Sequence, residues 1–238
     1  PSGGRDHRTR RASASRTRDP RLIPTRDILV ATRSFPALRE LVPLLTEFGF
    51  HAISLDDAGI PECDEEHDLE GFDTFEDNAS AKARYFASRS NGLLVLADDS
   101  GLCVDALGGA PGVISKRWSG STATGPQLDD ANNAHLLAAL DGVPDSARGA
   151  AYVCVAAIAH SERGLRWARG ETRGRITAAA QGTNGFGYDP YFVSDELGVT
   201  FGLASREQKA NVSHRARAVR TACERWRDFV RKTTLSGG

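Results

Sequence analysis

The sequence predicts an α/β protein built on a mixed sheet. Short apolar runs alternate with helix-period segments through the first half of the chain. Two long alternating runs then meet at Arg163-Gly164 and read as an antiparallel hairpin. A pair of carboxylates ends one of the apolar runs, where open sheets of this class gather polar groups.

Each element follows from local pattern. Ile28-Leu29-Val30-Ala31 reads as a buried first strand. Ser34 can cap the helix that follows, with Pro36 in its first turn. Leu38, Leu41, Leu44, Leu45 and Phe48 then recur at helical spacing, and Gly49 ends the run. Ala52-Ile53-Ser54-Leu55 is a second strand. The acidic, turn-rich stretch 56–74 is expected to be a loop, and 76–90 a helix with Gly92 just beyond. Leu93-Leu94-Val95-Leu96-Ala97 is a strand expected to deliver Asp98 and Asp99 to its C-terminal end, with Leu102-Cys103-Val104 continuing after Gly101. The glycines and proline of 108–112 demand a loop. A helix over 129–140, the hairpin strands over 149–160 and 165–176, a glycine-rich loop over 182–187, a strand at 191–193 and a last helix over 213–232 complete the reading.

Composition sets the outer limits. The chain has 238 residues, 40% of them hydrophobic, which suits one large or two-lobed domain with a real core. Its formal charge of -1 argues against a general polyanion binder; nucleic acid is not expected as a partner, with the arginine-rich tail the one route by which it, or a membrane, could be touched. No run is long enough to span a bilayer, and no secretory signal is visible. Cys63, Cys103, Cys154 and Cys223 form no C-x-x-C pair, and Cys103 and Cys154 read as small buried hydrophobes. A reducing cytoplasm is the expected location. Residues 1–26, rich in Arg, Ser and Gly, are expected to be a disordered or non-native tail. Methionine is missing even at position 1, so the chain reads as starting away from a native start residue, or as having lost it. Residues 27–232 read as one domain and 233–238 as a flexible end.

Four stretches carry chemistry. Asp77-Asn78 with Lys82, and Asp98-Asp99-Ser100-Gly101, supply carboxylates and a lysine, the parts of a hydrated divalent-metal site. Taken alone, Asp77 better suits a helix N-terminus, and Asp98-Asp99 equally suits a strand-to-turn acid pair. Asp77 and Lys82 are five residues apart, roughly 140° around a helix, so they border a site rather than pair. Phe186-Gly187-Tyr188-Asp189-Pro190 offers an aromatic face for a purine and a carboxylate for its edge, or else aromatics that fill core. Ser213-His214-Arg215, with Lys209 upstream, offers cationic donors at a helix start, or else a surface basic cluster. Together they describe a pocket for a magnesium nucleotide.

In this order the strings resemble the inosine triphosphate pyrophosphatase family, the non-canonical purine NTP pyrophosphatases (XTP/dITP diphosphatases). The similarity is carried by Phe75-Glu76-Asp77-Asn78-Ala79, Ala97-Asp98-Asp99-Ser100-Gly101-Leu102, Gly108-Gly109-Ala110-Pro111-Gly112, Gly185-Phe186-Gly187-Tyr188-Asp189-Pro190 and Ser213-His214-Arg215. The resemblance implies an elongated, two-lobed α/β fold with a central nucleotide cleft, usually a homodimer. It implies magnesium-dependent hydrolysis of ITP, dITP or XTP to the monophosphate and pyrophosphate. Asp99 would be the catalytic, metal-linked aspartate, supported by Asp98, with Asp77 the second metal acid in place of the family's usual Glu. Lys82 would contact phosphate. Thr32, Arg33, Ser34, Ser100, Phe186, Gly187, Tyr188, Asp189, Lys209, His214 and Arg215 would hold the nucleotide.

One motif departs from the family. Its Thr-x-Asn-x-x-Lys phosphate loop is Thr32-Arg33-Ser34-Phe35-Pro36-Ala37 here, with Glu40 still in register. Loss of one transition-state donor costs about 2.7–4 kcal/mol. Either Arg33 or Arg39 replaces the lysine, or the substrate is a di-, monophosphate or specialised nucleotide, or the site binds without catalysis.

Overall fold

The computed structural model describes residues 27–235. The expected tail over 1–26 and residues 236–238 of the expected flexible end lie outside them. Strand β1 (Asp27–Val30) leads into helix α1 (Phe35–Glu47), capped by the Ser34 hydroxyl with Pro36 in the first turn. Then come β2 (His51–Ser54), α2 (Phe75–Arg89), β3 (Leu94–Val104), α3 (Pro126–Ala139), β4 (Gly149–His160), β5 (Gly164–Ile176), β6 (Phe192–Ser194), α4 (Arg206–Val212) and α5 (His214–Leu235). The six strands form one sheet in the order β2-β1-β3-β4-β5-β6. β1 is parallel to β2 and β3, and every later pairing is antiparallel. The mixed α/β sheet is the one the sequence predicts.

Strand pleat divides the core in two. Ile28, Val30, Leu96, Cys154, Ala156 and Ile158 face α1 and α5. Leu29, Val95, Ala97, Val153, Val155 and Ala157 face α2. Alternate residues of a strand point to opposite faces, so near-continuous apolar runs mark strands buried on both sides. A third core lies toward the far ends of the long strands, where Leu102, Val104, Ala150, Tyr152 and Ile176 meet Leu136, Leu140, Phe192 and Phe201.

Three local readings are corrected. The stretch 56–74 is not all loop, because a 3-10 helix spans Asp64–Glu70. The short polar helix α4, held by a Ser205/Gln208 capping box, was not expected. Asp98 and Asp99 do not end a strand: β3 runs unbroken through Asp98-Asp99-Ser100-Gly101 to Val104. Both acids are satisfied by partners distant in sequence, so the local turn signal of Ser-Gly is overridden.

Strand lengths create the functional region. β1 covers one edge of β3 only at residues 94–96. Farther on, Leu102 N donates to Ser115 Oγ (2.9 Å) and Val104 N to Ala110 O (3.1 Å). The segment of β3 between these two covers has no strand beside it on that edge among the described residues. It carries Asp98, Asp99 and Ser100.

Candidate active site

The pleat sends the two acids of β3 to opposite faces. Asp98 turns toward α5, where its Oδ2 accepts from Arg215 Nε (2.9 Å) and the Cys154 thiol (3.8 Å). Asp99 turns toward α2 and accepts from Asn78 Nδ2 (2.9 Å). They are only 7% and 8% exposed. Burial raises the Asp99 carboxyl to about 6, against the pull of Lys82 and the Asn78 amide. A carboxylate so tuned suits proton transfer near neutral pH.

Helix α2 serves the Asp99 side. Its N-cap hydroxyl, on Thr74, accepts from Asp77 N (3.1 Å) and donates to Asp77 Oδ2 (2.7 Å). Asp77 is exposed there, one residue from the amide that holds Asp99. Lys82 Nζ donates to Asp98 O (2.9 Å) at the uncovered edge and to Glu70. Burial lowers the Lys82 pKa, but Glu70 and Asp98 more than restore it, so the ammonium stays charged.

The α5 side is a self-neutralised charge cluster. Arg215 pairs with Asp98 and Glu40 and donates to Ser100 Oγ (2.8 Å). Lys209 pairs with Asp189 (2.6 Å) and Glu40 (2.8 Å). Burial would raise Glu40, yet Arg215 and Lys209 pull it down to about 2. The Phe186 ring lies 5.1 Å from Lys209 Nζ and 5.8 Å from Arg215 Cζ. Phe186 N donates to Asp189 Oδ2 (2.9 Å). The His214 ring stacks on Tyr152 at 4.7 Å, and burial, then Arg215 and Lys209, hold its pKa well below the usual imidazole value. Its Nδ1 is buried without a partner.

A continuous path of contacts therefore joins Phe186 through Arg215 to Asp98, beside Asp99. Other expected residues sit differently. Tyr188 is buried in the third core, with its hydroxyl donating to Ser115 O (2.8 Å). Thr32 Oγ1 accepts from Ser34 N (3.1 Å), and Ser34 caps α1. Arg33 is clamped by both oxygens of Glu66 and by Ile60 O. Ala37 is 5% exposed. Asn78 is named beside Asp77 in the sequence reading without a role of its own, and Glu70, Asp129 and Asn133 are not singled out there, Glu70 being lost in an acidic stretch. Gly187 is held by Asp129 and Asn133 of α3. Surface hollows of about 390 and 200 Å³ lie elsewhere, and none of these groups lines them.

Among the described residues no three His, Cys, Asp or Glu side chains converge on a ready metal cage. Magnesium does not need one, since it keeps several waters and takes one or two carboxylates. Asp99 and the exposed Asp77 fit that donor set.

The chain belongs to the Ham1 family, whose model matches residues 28–225. It is 44% identical to a dITP/XTP pyrophosphatase of Ralstonia nicotianae over 206 residues, 86% of this chain and 98% of that protein. It is 45% identical to a dITP/XTP pyrophosphatase of Geobacter sulfurreducens, over 81% of this chain and 92% of that one. A HAM1 protein structure from Coxiella burnetii superposes with a TM-score of 0.72 at 32% identity, covering 85% of this chain and 98% of that chain.

Proposed function

We propose that the protein hydrolyses non-canonical purine nucleoside triphosphates, ITP, dITP and XTP, to the monophosphate and pyrophosphate. The observation that carries this reading is the path Phe186–Arg215–Asp98, with Asp99 on the next residue: an aromatic face and donors on the α5 side and a tuned base on the α2 side border the same uncovered segment of β3. The purine stacks on Phe186. Lys209 and Arg215 present donors, which match a 6-oxo oxygen better than a 6-amino group. Asp99 takes the proton of the attacking water as oxygen bonds to the α-phosphorus and the bridge to the β-phosphate breaks. Lys82 contacts the phosphates after exchanging Glu70 for them. Asp99 and Asp77 would hold magnesium, which when bound would supply charge neutralisation at the phosphate oxygens. The cysteines are free, which suits a cytoplasmic enzyme, and a homodimer is the assembly the resemblance implies. No helix among the described residues is long and apolar enough to cross a membrane.

The test is a panel of ITP, dITP, XTP, ATP and GTP with the matching di- and monophosphates, scoring pyrophosphate and phosphate separately. Pyrophosphate from ITP, lost in Asp99→Asn, is expected. Failure to turn over any nucleotide would remove the reading. The clamp on Arg33 and the small side chain at 37 favour a second reading, a shorter phosphate chain. Phosphate release from IDP outrunning pyrophosphate release from ITP would select it.

A further inference from the structure

Helix α3 lies outside the charged cluster, yet it holds the backbone of one residue of the aromatic loop, Gly187, on both sides. Asp129 Oδ2 accepts from Gly187 N (2.9 Å), and Asn133 Nδ2 donates to Gly187 O (3.0 Å). The two side chains are four residues apart, hence neighbours on one helix face. Gly187 has φ +62, a conformation that tolerates glycine best. The loop's own bonds, Phe186 N to Asp189 Oδ2 and Tyr191 N to Tyr188 O, leave the Gly187 groups to α3. Asn133 is 7% exposed and its Oδ1 is buried without a partner. A buried orphan acceptor is costly, and the reversed amide would set oxygen against the Gly187 carbonyl. The amide is therefore spent on holding the Gly187 carbonyl. Asn132 ties α3 in turn to the 3-10 helix Gly112–Arg117, accepting from Ser119 N and donating to Lys116 O. That helix anchors the Tyr188 hydroxyl.

We propose that Asp129 and Asn133 are positioning residues for base selectivity: their clamp on Gly187 sets the distance between the Phe186 ring and the Lys209 and Arg215 donors. The inference rests on the base-pocket reading above. Neither residue touches the ring. Both fix the backbone of the adjoining residue, and errors of about 0.5 Å in such support degrade a site. A merely structural α3, docked through Leu136, would instead lower stability and affect all nucleotides alike.

The experiment measures IMP and AMP binding by calorimetry, together with ITP hydrolysis, in the wild type, Asp129→Ala, Asn133→Ala, Asn133→Asp and Asp129→Asn. The wild type is expected to prefer IMP. Asp129→Ala and Asn133→Ala should each weaken IMP binding about tenfold, AMP binding less than about threefold, and raise KM for ITP more than they lower kcat. Asp129→Asn keeps an acceptor for Gly187 N and should stay within about threefold of wild type. Asn133→Asp, nearly isosteric, should lose selectivity as Asn133→Ala does, and decides the matter if an alanine variant fails to fold. Unchanged IMP:AMP ratios in the variants, with or without a lower Tm, would overturn the proposal. A wild type that binds neither monophosphate overturns both it and the base pocket. A wild type that binds IMP but releases no pyrophosphate from ITP removes only the hydrolytic reading.

Discussion

Asp99 holds its proton to an unusually high pH because burial outweighs the help of Lys82 and Asn78. The protonated form is inert as a base, and in the metal-free protein the Asp99 carboxyl should titrate through about 6 by carbon-13 NMR, a value that bound magnesium would lower. A carboxyl already fully ionised at pH 5 without metal would refute that shift. The same raised value means that folding favours the protonated carboxyl. Its contribution is present below the ordinary aspartate range and is lost as pH rises through the folded value. Asp99→Asn is therefore expected to be inactive yet at least as stable as wild type at pH 8, by urea denaturation. Glu40 has the opposite sign. Burial alone would raise it, but Arg215 and Lys209 depress it to about 2, so its stabilisation is present above its unfolded value and lost as pH falls toward 2. Glu40→Gln leaves two buried cations short of a partner and should cost roughly 3 kcal/mol at pH 7. That difference should shrink steadily below pH 4.5 if the ion pairs are its source.

Strand β3 does the positioning at the scale of elements. It is covered by β1 near one end and by the segment 110–115 near the other, and the acids sit between. Gly101 marks the second boundary: a Cβ there would lie 2.2 Å from Gly112 O and 2.5 Å from Ser115 Oγ. Gly101→Ala must push that segment off the strand, and should lower stability by about 1–3 kcal/mol and reduce turnover together. An alanine variant with wild-type urea midpoint and activity would refute the tight closure. At the other boundary, Ala37 lies in the first turn of α1, where the family resemblance implies a phosphate lysine. Ala37→Lys should raise kcat/KM for ITP at least about tenfold if charge is what the loop lacks. Much of this was legible from the sequence. The Ser34 cap, the Leu41/Leu44/Leu45 spacing and the Arg163-Gly164 hairpin are local signals, and the elements stand within a few residues of expectation. The unbroken run of β3 was hidden, because Asp-Asp-Ser-Gly has turn chemistry and its compensation comes from Arg215 and Asn78, far away in sequence. Asp129 and Asn133 were hidden for the same reason: helix periodicity says which residues share a face, but not which peptide that face will meet.

The cores are joined by strands rather than linkers, and this governs how the whole molecule opens. β3, β4 and β5 have 11, 12 and 13 residues, so each extends about 35 Å or more at roughly 3.3 Å per residue. Each passes from the layers packed on α1, α2 and α5 into the core built with α3 and β6. Chains above about 150 residues often unfold in stages, domain by domain. Here a boundary between the cores would have to cut the β3–β4 and β4–β5 ladders midway, through Asp98↔Ala156 and Cys154↔Gly170. It would also break the ion pair from Asp98 to Arg215. That makes separate melting costly, and a single cooperative transition is expected. The tryptophans allow the test: Trp226 is buried in the first core, while Trp118 packs on the third and edge-on to His135 at 4.7 Å. Trp226→Phe leaves Trp118 and the exposed Trp167 as reporters. In that variant the urea midpoint by fluorescence should coincide with the midpoint by far-ultraviolet circular dichroism, and both should rise together with ITP in EDTA. A fluorescence transition that precedes the loss of ellipticity would mean that the third core opens alone. The base loop would then sit on a separately melting lobe rather than on the sheet that carries Asp99.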